Sequence, residues 1–97
     1  MKLYHICSKE EWESRQGNLW HPESYLEEGF IHLSFKGQIK DSLKRHFKDK
    51  DNLICLEIHI PANDTKLKLE FVSTRNQKMP HYYGVIKSKW VKAIEKI

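Results

Sequence analysis

Asn52-Leu53-Ile54-Cys55-Leu56-Glu57-Ile58-His59-Ile60 is the most regular stretch of the chain. Alternation sets Ile54, Leu56, Ile58 and Ile60 on one face and Leu53, Cys55, Glu57 and His59 on the other. That period of two is the mark of a strand with one face in a core. Pro61-Ala62-Asn63-Asp64 breaks it. Beyond the break, Leu67–Val72 alternates again, with Leu67, Leu69 and Phe71 opposite Lys68, Glu70 and Val72. Residues 73–80 read as a polar loop, and Tyr82–Ile86 as a further strand. The C-terminal stretch is ambiguous. Ile86, Trp90, Val91, Ile94 and Ile97 fit a helical stripe, while residues 90–97 also suit an edge strand.

Upstream, residues 2–7 (KLYHIC) form a short apolar run read as the first strand. Ser8 opens S-K-E-E, a capping box in which the serine oxygen and the Glu11 carboxylate satisfy two free backbone donors. A helix to about Gln16 follows, with Gly17 as its left-handed stop. Residues 18–22 read as a loop. Pro22 starts a short helix that Gly29 ends. Residues 30–35 make the next strand, with Ile31, Leu33 and Phe35 opposite Phe30, His32 and Ser34. Gln38–Phe47 carries Ile39, Leu43, His46 and Phe47 at helical spacing. Strands and helices in this order give an α+β fold: a small split mixed β-sheet with two or three flanking helices, over 1–97 as one domain.

Composition narrows the classes. Ninety-seven residues, 39% hydrophobic and 31% charged, suit one modest core. No apolar run reaches the roughly 18–20 residues of a membrane span, and no leader pattern opens the chain. A cytoplasmic, monomeric, non-membrane protein is expected. Net charge is +4, with a pI near 9.1. That balance suits an anionic partner, a small ligand such as a nucleotide before nucleic acid, but the lysines are scattered and Asp41, Asp49 and Asp51 dilute their densest run, so it reads first as a solvated surface. Cys7 and Cys55 sit in apolar runs and read as buried free thiols.

Three histidines intrude on these apolar runs: His5, His32 and His81. Ser34 and Tyr83 lie two residues from His32 and His81, and Tyr4 adjoins His5. Burying such groups unpaired costs roughly 1–3 kcal/mol each, so their repetition points to a polar cleft built on strands. A neutral imidazole donates from one nitrogen and accepts at the other, which suits a ribose hydroxyl or an amide. Three imidazoles and a water also make a catalytic zinc site, but no short-spaced pair such as H-x-x-x-H is present. A metal-dependent hydrolase using His5, His32 and His81, and a non-enzymatic nucleic-acid or partner-binding module, stay open as alternatives. Glu70 interrupts an apolar strand and is a candidate carboxylate. Gln38 opens a helix, whose free N–H groups suit a phosphate. Gly84 beside Tyr83 would let a flat ring approach closely.

These residues resemble the domain of unknown function 952 family. Its opening I-Y-H-I is matched by Leu3-Tyr4-His5-Ile6, and its first-helix tryptophan by Trp12. S-L-x-x-E-G-F-I-H-x-S is matched across Ser24–Ser34, and a following glutamine by Gln38. L-x-L-L-E-I-D is matched from Leu53 to His59, a strand-ending glutamate by Glu70, and F-P-H-L-Y-G-P-L from Met79 to Ile86. Departures are His59 for aspartate, Met79 for phenylalanine, Tyr82 for leucine and Val85 for proline. The family is similar in fold to ADP-ribosyltransferases, which implies a cleft for an NAD-like nucleotide and, by fold likeness alone, a transferase of the ADP-ribosyl type. In that superfamily a first-strand histidine holds a ribose, an aromatic stacks on nicotinamide and a later glutamate aids glycosidic cleavage. The resemblance assigns His5, Tyr83 and Glu70 to these places, and it favours a strand at the C-terminus. The expected site is thus His5, His32, His81 and Glu70, with Ser34, Gln38, Tyr83 and Gly84 contacting the ligand.

Overall fold

The computed structural model describes residues 1–97. Eight strands run in chain order as β1 (Lys2–Ser8), β2 (Leu19–Trp20), β3 (Ile31–His32), β4 (Leu53–His59), β5 (Leu67–Val72), β6 (Gln77–Tyr82), β7 (Ile86–Lys87) and β8 (Val91–Lys96). Three helices join them: α1 (Lys9–Glu13), α2 (Tyr25–Glu28) and α3 (Ile39–His46). The strands form three sheets, in the orders β1-β4-β8, β2-β7 and β3-β6-β5. The domain is α+β, but every pairing is antiparallel, where a mixed sheet was expected. None of the connecting helices is used as a crossover between neighbouring parallel strands.

β4 is central, and its alternation works as read. Ile54, Leu56, Ile58 and Ile60 are buried in the main core with Leu3, Trp12, Trp20, Ile31, Leu33, Tyr82 and Ile86. Its opposite face buries Leu53 and Cys55 with Ile6, beneath Ile39, Leu43 and Phe47 of α3 and the turn after it. Both thiols are free and buried, and burial raises Cys7 to about 12 and Cys55 to about 11. Neither thiol is a nucleophile at neutral pH.

Local chemistry sets the element ends. Ser8 Oγ accepts from Glu11 N–H (3.1 Å), as the capping box requires. The Glu11 carboxylate does not return to Ser8. It accepts instead from Glu23 N–H (2.6 Å) and ties α1 to the α2 segment. Helix α1 stops at Glu13, short of the expected Gln16, because only Trp12 of its residues is buried. Gly29 ends α2 with φ of 77°, the left-handed geometry expected of it.

The region expected as a loop followed by a strand at Tyr82–Ile86 is reorganised. β6 begins at Gln77, and Tyr83–Val85 lie outside any strand. A four-residue turn, with Asn76 at φ 51°, folds β6 onto β5. Pro80 also explains why β3 is short. Leu33 N–H donates to Pro80 O (3.0 Å), but proline has no N–H to return, so the ladder ends at His32–His81. The C-terminal stretch is strand β8, paired to β4. No helix is long and apolar enough to cross a membrane.

One bridge links the first and third sheets. Tyr4 N–H donates to Ser34 O (2.9 Å) and Ser34 N–H to Tyr4 O (2.8 Å). It brings the His5 end of β1 beside β3.

Candidate functional site

A cleft of about 1330 Å³ is lined by β1, by the Leu33–Ser34 and Met79–His81 segments, and by parts of α3 and the Asp49–Leu53 turn. His5, His32, His81 and Ser34 all lie on its wall. Strand parity explains His5. It shares the core-facing side of β1 with Leu3 and Cys7, and its ring meets the Trp20 edge at 5.7 Å between centroids. His32 and His81 are cross-strand partners, with rings 5.2 Å apart and nearly perpendicular. Phe30 packs on His32, His81 and Tyr83.

Each imidazole has one nitrogen fixed by an acceptor, and so the proton on that nitrogen is assigned. His5 Nδ1–H donates to His32 O (2.6 Å). His81 Nδ1–H donates to Glu70 Oε1 (2.9 Å). His32 Nε2–H donates to Glu28 Oε2. In the neutral rings, His5 Nε2 and His81 Nε2 therefore present lone pairs. The only enclosed side-chain nitrogen or oxygen without a hydrogen-bond partner is Ser88 Oγ. Neither Nε2 atom has a hydrogen-bond partner within the protein, and both residues lie on the cleft wall.

Glu70 is not on the cleft wall. Its Oε1 accepts from Tyr83 O–H (2.5 Å) as well as from His81. The Tyr83 bond, then the His81 bond, hold its carboxyl below the ordinary carboxylate range, and Glu70 in turn raises the Tyr83 phenol. Glu70 reaches the cleft only through His81. Tyr83 is exposed and off the wall. Gln38 is spent on the backbone: its Oε1 accepts from Phe35 N–H (2.9 Å) and its Nε2 donates to Lys78 O (3.0 Å). Gly84 also lies away from the cleft. A Cβ there would meet Lys66 Cδ at 3.0 Å and Tyr82 Cε2 at 3.3 Å, so the close approach it permits is by Lys66, not by a flat ligand.

A family model described as a protein of unknown function, DUF952, matches residues 6–94. The chain belongs to the DUF952 family. Among solved structures, the DUF952 domain is similar to the crystal structure of protein CC0527 from Caulobacter crescentus. That protein is 25% identical, with a TM-score of 0.85, over 97% of this chain and 83% of that one. The solution NMR structure of CC0527 is similar at a TM-score of 0.81 and 26% identity, over 99% and 84%. A comparison with curated proteins gives no match.

The cleft of this DUF952 domain includes residues that the sequence did not single out. Arg75, from the turn between β5 and β6, has a side chain only 5% exposed. Its Nε donates to Asp41 Oδ2 (2.7 Å) and its Nη2 to Ser42 Oγ (3.0 Å). Ser42 Oγ is in turn 3.0 Å from Ser34 Oγ. Arg75 and Ser42 were hidden in a polar loop and in a helix interior, and only the folded chain places them beside Ser34. No three of the His, Cys, Asp and Glu side chains are grouped to hold a metal ion, so the hydrolase alternative has no ligand set. The wall carries Glu10, Glu11, Glu23, Glu28, Asp49 and Asp51 against Lys50 and Arg75. This acidic lining runs counter to the basic balance of the whole chain. The lining's two cations are Lys50 and Arg75, and Arg75 is already paired with Asp41.

Burial pulls His5 below the ordinary imidazole value of 6.5, with its bond to His32 only partly opposing. The sign follows from linkage. Above pH 6.5 the ring is neutral in both states, and below it the unfolded chain takes up a proton that the DUF952 fold refuses. Stability is therefore expected to fall as pH drops from 6.5 toward the lower folded value. Urea midpoints for the wild type and His5→Asn across that window check this. The substitution is expected to flatten the slope.

Proposed function

We propose that this protein is a ligand-binding domain whose cleft takes a ribose-bearing ligand of the ADP-ribosyl class. One observation carries the reading: His5 and His81 lie on the wall of one cleft, each with Nδ1 bonded inside the protein and Nε2 without a protein partner, and on this reading both lone pairs serve the ligand. Adjacent hydroxyls on a ribose are donors matched to such acceptors. Ser34 and Ser42 extend the polar wall, and Arg75 is the buried cation that would receive a phosphate. The surrounding carboxylates favour a ligand with a neutral or cationic base over one carrying further negative charge. The family's resemblance to ADP-ribosyltransferases, with His5 in the ribose-holding place, supports the same class.

Within this reading His81 would accept a proton from a ligand hydroxyl at Nε2. Glu70 would stabilise the resulting imidazolium at Nδ1, acting as a positioning residue. Isothermal titration with NAD, ADP-ribose and ribose 5-phosphate tests the proposal. Binding of ADP-ribose that weakens in Arg75→Lys and His81→Gln is expected. Absence of heat with all three ligands would overturn it.

A further inference from the structure

β5 is an edge strand whose outer side is complementary to itself. It ends the sheet β3-β6-β5. Tyr83 N–H donates to Lys66 O (2.8 Å), which places Lys66 among the residues that bond the β6 side. In an antiparallel ladder such residues alternate with those whose backbone groups point away. Lys68 and Glu70 therefore bond β6, while Leu69 and Phe71 turn N–H and C=O outward. No turn, loop or cap bond reaches Leu69 or Phe71. Their side chains are 49% and 61% exposed, on the face opposite Lys68 and Glu70. Long exposed edges of this kind are normally shielded, since they template pairing.

We propose that this edge pairs with the β5 edge of a second copy of the chain, antiparallel and centred on Leu69. In that register Leu69 meets Leu69, Leu67 meets Phe71 through its carbonyl alone because Leu67 N–H already donates to Asp64 O (3.2 Å), and Lys68 meets Glu70 on both sides of the two-fold axis. Apolar pairs then fill one face and opposite charges the other. Moving the axis to the neighbouring residue of the ladder sets Glu70 against Glu70 or Lys68 against Lys68, so charge selects the register. Both of Glu70's own hydrogen bonds go to Oε1, which leaves Oε2 for Lys68 of the second copy. Pairing thus adds a cation beside the carboxylate that fixes the His81 proton. Of the other long edges, β1 is bridged by Ser34 at Tyr4, and β8 offers Ile94 among Lys92, Ala93, Glu95 and Lys96 and lacks a matched apolar stripe.

A strand-to-strand contact buries less than the roughly 1,200 Å² of a stable interface, so the association depends on concentration. Sedimentation velocity over about a hundredfold concentration range should show the mass rising from the 11.6 kDa chain toward twice that value. Leu69→Lys and Lys68→Glu are each expected to hold the mass at one chain, with unchanged far-ultraviolet circular dichroism. Oxidised Leu69→Cys should cross-link at least about tenfold faster than Ile94→Cys, because facing residues in such a pair have disulfide spacing. A wild type of constant mass would overturn the proposal, as would dimers persisting in both charge variants. Faster cross-linking through Ile94→Cys would move the interface to β8 and would also overturn it. No ligand enters these measurements, so they succeed or fail separately from the proposed function.

Discussion

Trp20→Ala is expected to destabilise the fold by about 3–5 kcal/mol, the largest single effect in the molecule. Trp20 is 5% exposed and joins three parts of the structure. Its ring meets Trp12 edge-on at 5.2 Å and His5 at 5.7 Å, and its Nε1–H donates to Glu11 O (3.3 Å). It also sits in β2, a two-residue strand that holds β7 by a single short pairing. Removing the indole leaves a cavity between α1 and β1 that the two-residue strand cannot collapse to fill. Domains of this size hold only about 5–15 kcal/mol in total, so the loss consumes much of the margin. Thermal unfolding should show a midpoint lowered by well over ten degrees, at about 4–8 °C per kcal/mol. Leu26→Ala, at an exposed position, is the control and should stay within about 0.5 kcal/mol.

The second large effect concerns His81. His81→Ala is expected to weaken ADP-ribose binding roughly two- to tenfold, the worth of about 0.5–1.5 kcal/mol for a hydrogen bond between neutral groups. The ring is buried and held by Glu70, so its lone pair is already aimed before a ligand arrives. Glu70→Gln keeps the shape at that position but removes the charge that fixes the Nδ1 proton. A smaller loss of affinity is expected there, with part of the His81 population changing tautomer. Titration calorimetry reads the affinities. Unfolding curves of His81→Gln, which keeps a polar side chain, separate a folding defect from a binding defect.

The strands with the clearest alternation were legible before folding. β4 and β5 fall within a residue of where their patterns place them: β4 because its Ile54–Ile60 face is buried along its length, and β5 because Leu67, Leu69 and Phe71 alternate with Lys68 and Glu70, although only Leu67 packs on the core. β6 was not legible. Gln77, Lys78 and Pro80 read as loop chemistry, yet Met79, His81 and Tyr82 are buried, with strand partners 9 to 51 residues away in the chain. Periodicity also misleads at the C-terminus. Only one edge of β8 is paired and Ile94 is half exposed, so no alternation in burial had to be written into the sequence. The histidines showed themselves because imidazole is out of place on apolar strands. Arg75 and Ser42 gave no such signal, since arginine in a turn and serine in a helix are ordinary until tertiary contacts bury them.

Nitrogen-15 NMR of the imidazole rings during titration with ADP-ribose tests the shared cleft most directly. Before ligand, His5 and His81 should both show the proton on Nδ1. On titration their Nε2 signals should move together, with one dissociation constant, while His59, paired with Glu57 away from the cleft, stays still. Nε2-protonated rings in the free protein, or His5 and His81 signals that never move, would contradict the reading of this cleft as a ribose site.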